Sequence, residues 1–200
     1  MSKKSFFVAP SSYKELKSIK EPILFLGRWC MPQRKKESYI DKEFEILSSL
    51  PLIKTQKDEM FNEATNFQEK IFKKLYTILN RHHKKKFTDR EWKILIGHWF
   101  RRATWTLINR VNLVNTSINS YNLIGTHEII DYDLSTTDAF SFIHATNDSK
   151  WNLAINSAIF RHYIKDEKFF KKINSDILKV EIEPPKHSEV KVFIGKFLSI

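Results

Sequence analysis

The tract Pro22-Ile23-Leu24-Phe25-Leu26-Gly27 constrains this chain most. Four consecutive apolar residues without alternation, opened by a proline and stopped by a glycine, have the length and pattern of a strand buried on both faces. Such strands belong to parallel sheets covered by helices. Gly27-Arg28-Trp29-Cys30 follows as a loop, and a loop directly behind a parallel strand is where α/β proteins tend to place ligands.

The rest of the chain supplies helices to cover such a sheet. Ser12 stands three residues before Glu15, a capping-box pattern that predicts a short helix ending by Pro22. From Met31 to Thr55 the chain is polar and reads as loop with short elements. Between residues 58 and 82, Phe61, Ala64, Ile71, Phe72, Leu75, Ile78 and Leu79 recur at helical spacing, with the lysines mainly between them, so a long amphipathic helix is predicted. A basic connector, Arg81-His82-His83-Lys84-Lys85-Lys86, leads to a second capping box, Thr88 with Glu91, and a helix starting at Asp89. Its wheel gathers Trp92, Leu95, Ile96, Trp99, Ala103, Leu107, Val111 and Val114 on one face, with Ile94, Phe100 and Ile108 elsewhere. That predicts a central, largely enclosed helix. A strand is expected within Leu123 to Ile130, a loop over Asp131 to Thr137, and a helix capped by Asn147 or Asp148 with Trp151, Ala154, Ile155, Ala158 and Ile159 inward. Val190 to Ile194 is a candidate strand.

Composition narrows the function classes. The chain has 200 residues, 42% of them hydrophobic and 14% aromatic, enough for a folded core. Its one cysteine, Cys30, excludes an internal disulfide and a multi-thiolate zinc site, and points to a reducing, cytoplasmic setting. Phe6-Phe7-Val8-Ala9 before Pro10 is too short for a signal-peptide core, and no apolar stretch is long enough to span a bilayer. The net charge of +11 attracts phosphate in nucleic acid, anionic lipid headgroups or diphosphate-linked sugars. An AT-rich genome, favouring Lys, Ile, Asn and Phe, would produce the same bias.

Several residues could carry chemistry. Glu91, His98, Arg102 and Asn109 share a polar stripe that either faces solvent or lines a cleft. Arg110 falls on the apolar face in line with Trp92. It can snorkel, pair with a buried carboxylate or bind a phosphate. Arg28 could supply charge beside loop amides, and Trp29 is a core residue or a sugar platform. Cys30 reads as a buried structural thiol, since no neighbouring base identifies it as a nucleophile. The histidines lack metal-pair spacing, no HExxH, GxGxxG or Walker A pattern occurs, and neither a metal nor a cofactor is expected. No carboxylate, Asp131, Asp133, Asp138 and Asp148 included, is marked by spacing as a catalytic base.

Three blocks, Ile23 to Cys30, Trp92 to Phe100 and Asn147-Asp148-Ser149-Lys150-Trp151-Asn152, resemble in order and spacing the N-terminal region of the O-antigen and surface-polysaccharide transferases. The likeness covers about residues 6 to 165. It implies an α/β, helix-rich, Rossmann-like N-terminal half of a two-domain glycosyltransferase-like protein, with residues 1–166 as that domain and 167–200 as an extension or the start of a second one. It also implies an acceptor-side module of a sugar transferase. Arg28, Trp29, His98, Arg102 and Arg110 would then bind a nucleotide sugar or lipid-linked diphosphate sugar, and a C-terminal nucleotide-binding partner would be needed for turnover. A cytoplasmic protein touching the anionic inner membrane peripherally fits that role. The chain departs from the family pattern at Arg28, where an acidic residue is usual, at His98, usually proline, and at Asn109, usually aspartate. The competing expectation is a basic nucleic-acid-binding module built on Arg34 to Lys36 and Arg81 to Lys86.

Overall fold

In the computed structural model, which describes residues 4–11, 13–31, 42–48, 54–129, 132–136 and 138–174, the chain is α/β with a parallel sheet. Five strands, β1 (Ser5–Ala9), β2 (Ile23–Phe25), β3 (Phe44–Ile46), β4 (Asn122–Ile129) and β5 (Phe170–Ile173), pair in the order β3-β2-β1-β4-β5. Every pairing is parallel, with Phe7 opposite Ile23 and Gly125, and Thr126 opposite Phe170. The chain therefore builds outward from β1 to β3, returns across two long helices, and continues on the other side of β1. That reversal is the switch point of Rossmann-like sheets, which as a class place ligands outside the carboxyl ends of the strands there.

β2 is the strand anticipated from its apolar run. The central strand is β1, whose Phe6, Phe7, Val8 and Ala9 are each at most 3% exposed. The same four-residue apolar run stopped by a proline carries it, so the signal matched that of β2. At the far edge β5 reads Phe-Lys-Lys-Ile, with Phe170 and Ile173 buried and both lysines exposed. It extends the sheet past residue 166 to Ile173. Arg161 of the last helix anchors this edge by binding both carboxylate oxygens of Glu128 on β4, and Glu167 at 2.7 Å, while stacking 4.3 Å over Phe170. Gly125 is required where β4 passes β1 and the turn before β5. A Cβ there would lie 3.0 Å from the Phe169 carbonyl and 3.3 Å from the Phe7 ring.

Four helices are present among the described residues, α1 (Lys54–His83), α2 (Asp89–Ser120), α3 (Ala139–Asn147) and α4 (Ser149–Tyr163); α4 and α2 pack on the sheet at β4, while α1 packs on α2 and α3 on α4. The Thr88–Glu91 capping box starts α2 as expected, with the Thr88 amide donating to Glu91 at 2.7 Å. α1 and α2 form an antiparallel hairpin whose turn is fastened by Asn80. Its side chain donates to the Phe87 carbonyl and accepts from the Phe87 amide and the Trp92 indole, at 2.7–2.9 Å. Inside the hairpin Phe72, Trp92 and Phe100 make a cluster of their own, apart from the main core.

The expectation of an enclosed α2 is overturned. Ile94 is 74%, Leu95 60% and Leu107 38% exposed. A helix of 32 residues runs about 48 Å, and its outer half packs on α1 and, at Trp99 and Ala103, in a cluster with Phe142 of α3 and Trp151 of α4, which leaves Ile94 and Leu95 uncovered. The wheel for α4 also needs correction: Ala158 is exposed, while Asn152, Asn156 and Ser157 join Trp151 and Ala154 on the buried side. α3, capped by Asp138 through Ser141, went unanticipated. The expected helix after Ser12 is a 3-10 turn over Lys14–Ser18 without a side-chain cap from Tyr13, and Ser12 itself lies outside the described residues. The Val190 to Ile194 strand also lies outside them. No helix among the described residues is long and apolar enough to cross a membrane.

One buried polar pair lies against β1. His127 is 5% exposed, its Nδ1 is 2.9 Å from the Tyr13 hydroxyl, and its ring meets Phe7 edge-on at 4.8 Å. Burial, and then the Lys171 charge, push its pKa down to about 4. The folded state thus holds His127 neutral while the unfolded chain would protonate it below about pH 6.5. Its contribution is complete above that pH and is lost as pH falls toward 4. Urea unfolding should show a stability loss of about 2 kcal/mol between pH 7 and pH 5, and His127→Gln should flatten that segment of the profile.

Candidate functional site

Behind β2, Gly27 leads into a 3-10 turn over Arg28–Cys30 at the carboxyl edge of the sheet. Apolar β2 fixes the base of this turn, and Cys30, wholly buried, fixes its far end. Burial raises the Cys30 thiol well above its ordinary pKa, with the Arg110 charge pulling weakly the other way. It stays a protonated structural thiol at neutral pH, which removes it as a nucleophile.

Between these anchors the Trp29 ring turns outward, 37% exposed, and lies against the guanidinium of Arg110, whose central carbon is 3.5 Å from the ring centroid. Arg110 comes from α2 and is itself only 7% exposed. Its Nη2 donates to the Asn152 side chain on α4 at 3.0 Å. Asn152 is held in turn by donating to the carbonyls of Thr146 and Asp148, each at 2.9 Å. Asp148 caps α4 by accepting from the Trp151 amide at 2.7 Å and also accepts from the Tyr132 hydroxyl at 3.2 Å. Burial, followed by Asp148, pushes the Tyr132 pKa up to about 12. Three segments distant in sequence therefore converge on one cation.

That cation is under-compensated. Among the described residues no carboxylate pairs with Arg110, and its buried Nε has no hydrogen-bond partner. Burial lowers its pKa to about 10, so the group remains charged at pH 7. A charge out of water with spare donors is costly unless an anion completes it. Snorkelling and pairing with a buried carboxylate, two of the fates open to Arg110 from sequence, are excluded among the described residues.

The five candidate residues fall into two places. Trp29 and Arg110 meet, with Arg28 exposed beside them on the same turn. His98 and Arg102 lie elsewhere, on the outer half of α2. Twelve residues separate His98 from Arg110, about 18 Å along the helix axis. Both line a groove of about 670 Å³ between α1 and α2, with Phe61, Gln68, Arg101 and Trp105. They are solvent-exposed, so the polar stripe faces water and borders a cleft at once. Glu91 of that stripe is taken by the capping box, which lowers its pKa through the Thr88 amide. Asn152 and Asn156 were missed. Their i, i+4 spacing beside an apolar face was the available signal, because asparagines repeated on the buried side of a helix need specific partners. Asn156 donates to the Asn152 carbonyl at 2.7 Å, while its Oδ1 is buried without a partner. Among the described residues no group of three or more His, Cys, Asp or Glu is placed to hold a metal.

Gly27 controls the stack. A Cβ there would stand 2.5 Å from Trp29 Nε1, so Gly27→Ala must swing the indole away while sparing the sheet. The expected result is a shift in tryptophan emission with a melting temperature within about 2 °C of wild type.

Residues 6–199 match the profile of a protein family described as LIC12162 family transferase. No curated protein and no solved structure matches the chain.

Proposed function

Because the chain belongs to the LIC12162 transferase family, we propose that it is a glycosyltransferase-like member acting in surface-polysaccharide synthesis, with an acceptor-side site at Trp29 and Arg110. One observation carries this reading. A buried guanidinium with no carboxylate partner among the described residues is stacked on a half-exposed tryptophan at the carboxyl edge of a Rossmann-like sheet.

The chemistry suits a diphosphate-linked sugar. Guanidinium donors match phosphate oxygens in planar, directed geometry, and the charge gains most where water is excluded. An indole face packs against the apolar C–H face of a sugar ring, and Trp29 presents one at the rim. Asn152 orients the guanidinium by accepting from Nη2, and the buried Nε keeps an unused donor that adds to the site's demand for an anion. In this reading the chain binds and positions the acceptor, the binding unit takes in β5 past residue 166, and a nucleotide-binding unit elsewhere supplies the donor sugar. No residue is assigned as the base.

The test is direct binding. Calorimetry and tryptophan quenching with a water-soluble prenyl diphosphate sugar, and separately with nucleotide diphosphate sugars, should give saturable binding to one of them. Absence of saturation with both ligand classes would overturn the assignment.

A further inference from the structure

The positive charge of the chain is concentrated on one structural unit. Between Lys70 and Arg102 there are eleven lysines and arginines against two acidic residues, a surplus of nine where the whole chain carries +11. This stretch is the outer half of the α1–α2 hairpin with its turn. Arg81, Lys84, Lys85, Lys86, Arg90, Arg101 and Arg102 are all exposed there. The two acidic groups are already engaged: Asp89 pairs with Lys93 at 3.0 Å, and Glu91 accepts from Thr88.

Exposed aliphatic side chains occupy the same surface. Ile94 and Leu95, 74% and 60% exposed, flank the stripe of Glu91, His98 and Arg102 on the helix wheel. The hairpin does not need them for its interior, which Phe72, Trp92 and Phe100 fill together with Leu75, Leu79, Phe87 and Ile96. Two large aliphatics held in water among arginines are a cost that a partner surface would remove.

We infer that the outer half of the α1–α2 hairpin docks on an anionic lipid bilayer, with the cations at the headgroup phosphates and Ile94 and Leu95 entering the acyl boundary. Charge alone would equally suit nucleic acid. The aliphatics decide between them: bases are bound by stacking on flat aromatic or guanidinium faces, which Ile94 and Leu95 lack, whereas a bilayer interface rewards apolar side chains ringed by Lys and Arg. This surface lies outside the Arg110 site, and its binding is read without any turnover.

Sedimentation of the full chain with vesicles tests the contact. Vesicles of equal parts phosphatidylcholine and phosphatidylglycerol should carry the protein down, and vesicles of phosphatidylcholine alone should not. Charge reversal at the turn (Lys84→Glu, Lys85→Glu, Lys86→Glu) should abolish binding. The double variant Ile94→Gln, Leu95→Gln should weaken partitioning by about tenfold or more at constant salt, since two aliphatic side chains no longer enter the acyl boundary. Its far-UV dichroism should match wild type, because both positions are exposed. Three results would overturn the inference: no sedimentation of wild type with anionic vesicles, undiminished binding by the Ile94/Leu95 variant, or tighter binding to a single-stranded RNA oligomer than to anionic vesicles at equal phosphate concentration and salt.

Discussion

Arg110→Met is expected to abolish saturable binding of a diphosphate-linked sugar while leaving the fold intact. Charge-assisted hydrogen bonds to a ligand phosphate contribute about 1.5–3 kcal/mol each, so loss of the guanidinium should weaken binding by about 100-fold or more. Stability should respond differently. The substitution removes the stack on Trp29 and the bond to Asn152, which destabilises, and it also removes a buried charge without a carboxylate partner, which stabilises. These offset, and urea unfolding should stay within about 1 kcal/mol of wild type. Arg110→Lys should not restore binding, because an ammonium cannot reproduce the planar stack and directed donors together. If Arg110→Met instead unfolds the protein, or binds the ligand as wild type does, Arg110 is a structural prop and the proposed site is wrong.

Phe7→Ala should have the largest effect on stability. Phe7 is 1% exposed at the middle of the central strand, where its ring meets His127 and lies 3.3 Å from the place a Cβ on Gly125 would take. Truncation leaves a cavity between β1 and β4 that neighbouring backbone cannot close, since both strands are fixed by parallel pairing on each side. The expected cost is about 3–5 kcal/mol, a large share of the ~5–15 kcal/mol that holds a domain folded. A chain of this length should then melt about 10–15 °C lower. Leu95→Ala is the matched control. It deletes a comparable aliphatic side chain that is already 60% exposed, and it should change stability by no more than about 0.5 kcal/mol.

The contrast between Phe7 and Leu95 also shows what a sequence pattern conveys. Both stand in strongly apolar contexts, and periodicity alone treats Leu95 as a core residue of α2. Burial depends on a second surface being present. β1 has neighbours on both edges and shares one core with side chains of α2 and α4, whereas Leu95 lies outside the clusters that the outer half of α2 makes with α1, α3 and α4. Local signals served well where the physics is local. The Thr88–Glu91 cap, the Asp148 cap and the apolar run of β2 each rest on residues within a few positions of one another, and each is present. β5 carried no such signal, because two exposed lysines interrupt its buried Phe170 and Ile173. Its place in the sheet comes from Arg161, Glu128 and Glu167, which are dispersed along the chain.

The same division runs through the candidate site. From sequence alone, Ile23 to Cys30 had to be a buried strand followed by a turn, Asp89 had to begin a capped helix, and Arg110 had to fall on that helix's apolar side, since spacing fixes direction on a strand or helix. Only the tertiary structure brought Arg110 onto Trp29 and Asn152, residues separated from it by 81 and 42 positions, and left His98 and Arg102 on a distant exposed surface. Spacing assigns a side chain to a face. What that face meets is decided by the packing of whole elements, which minimises exposed apolar area over the molecule and not within any one segment.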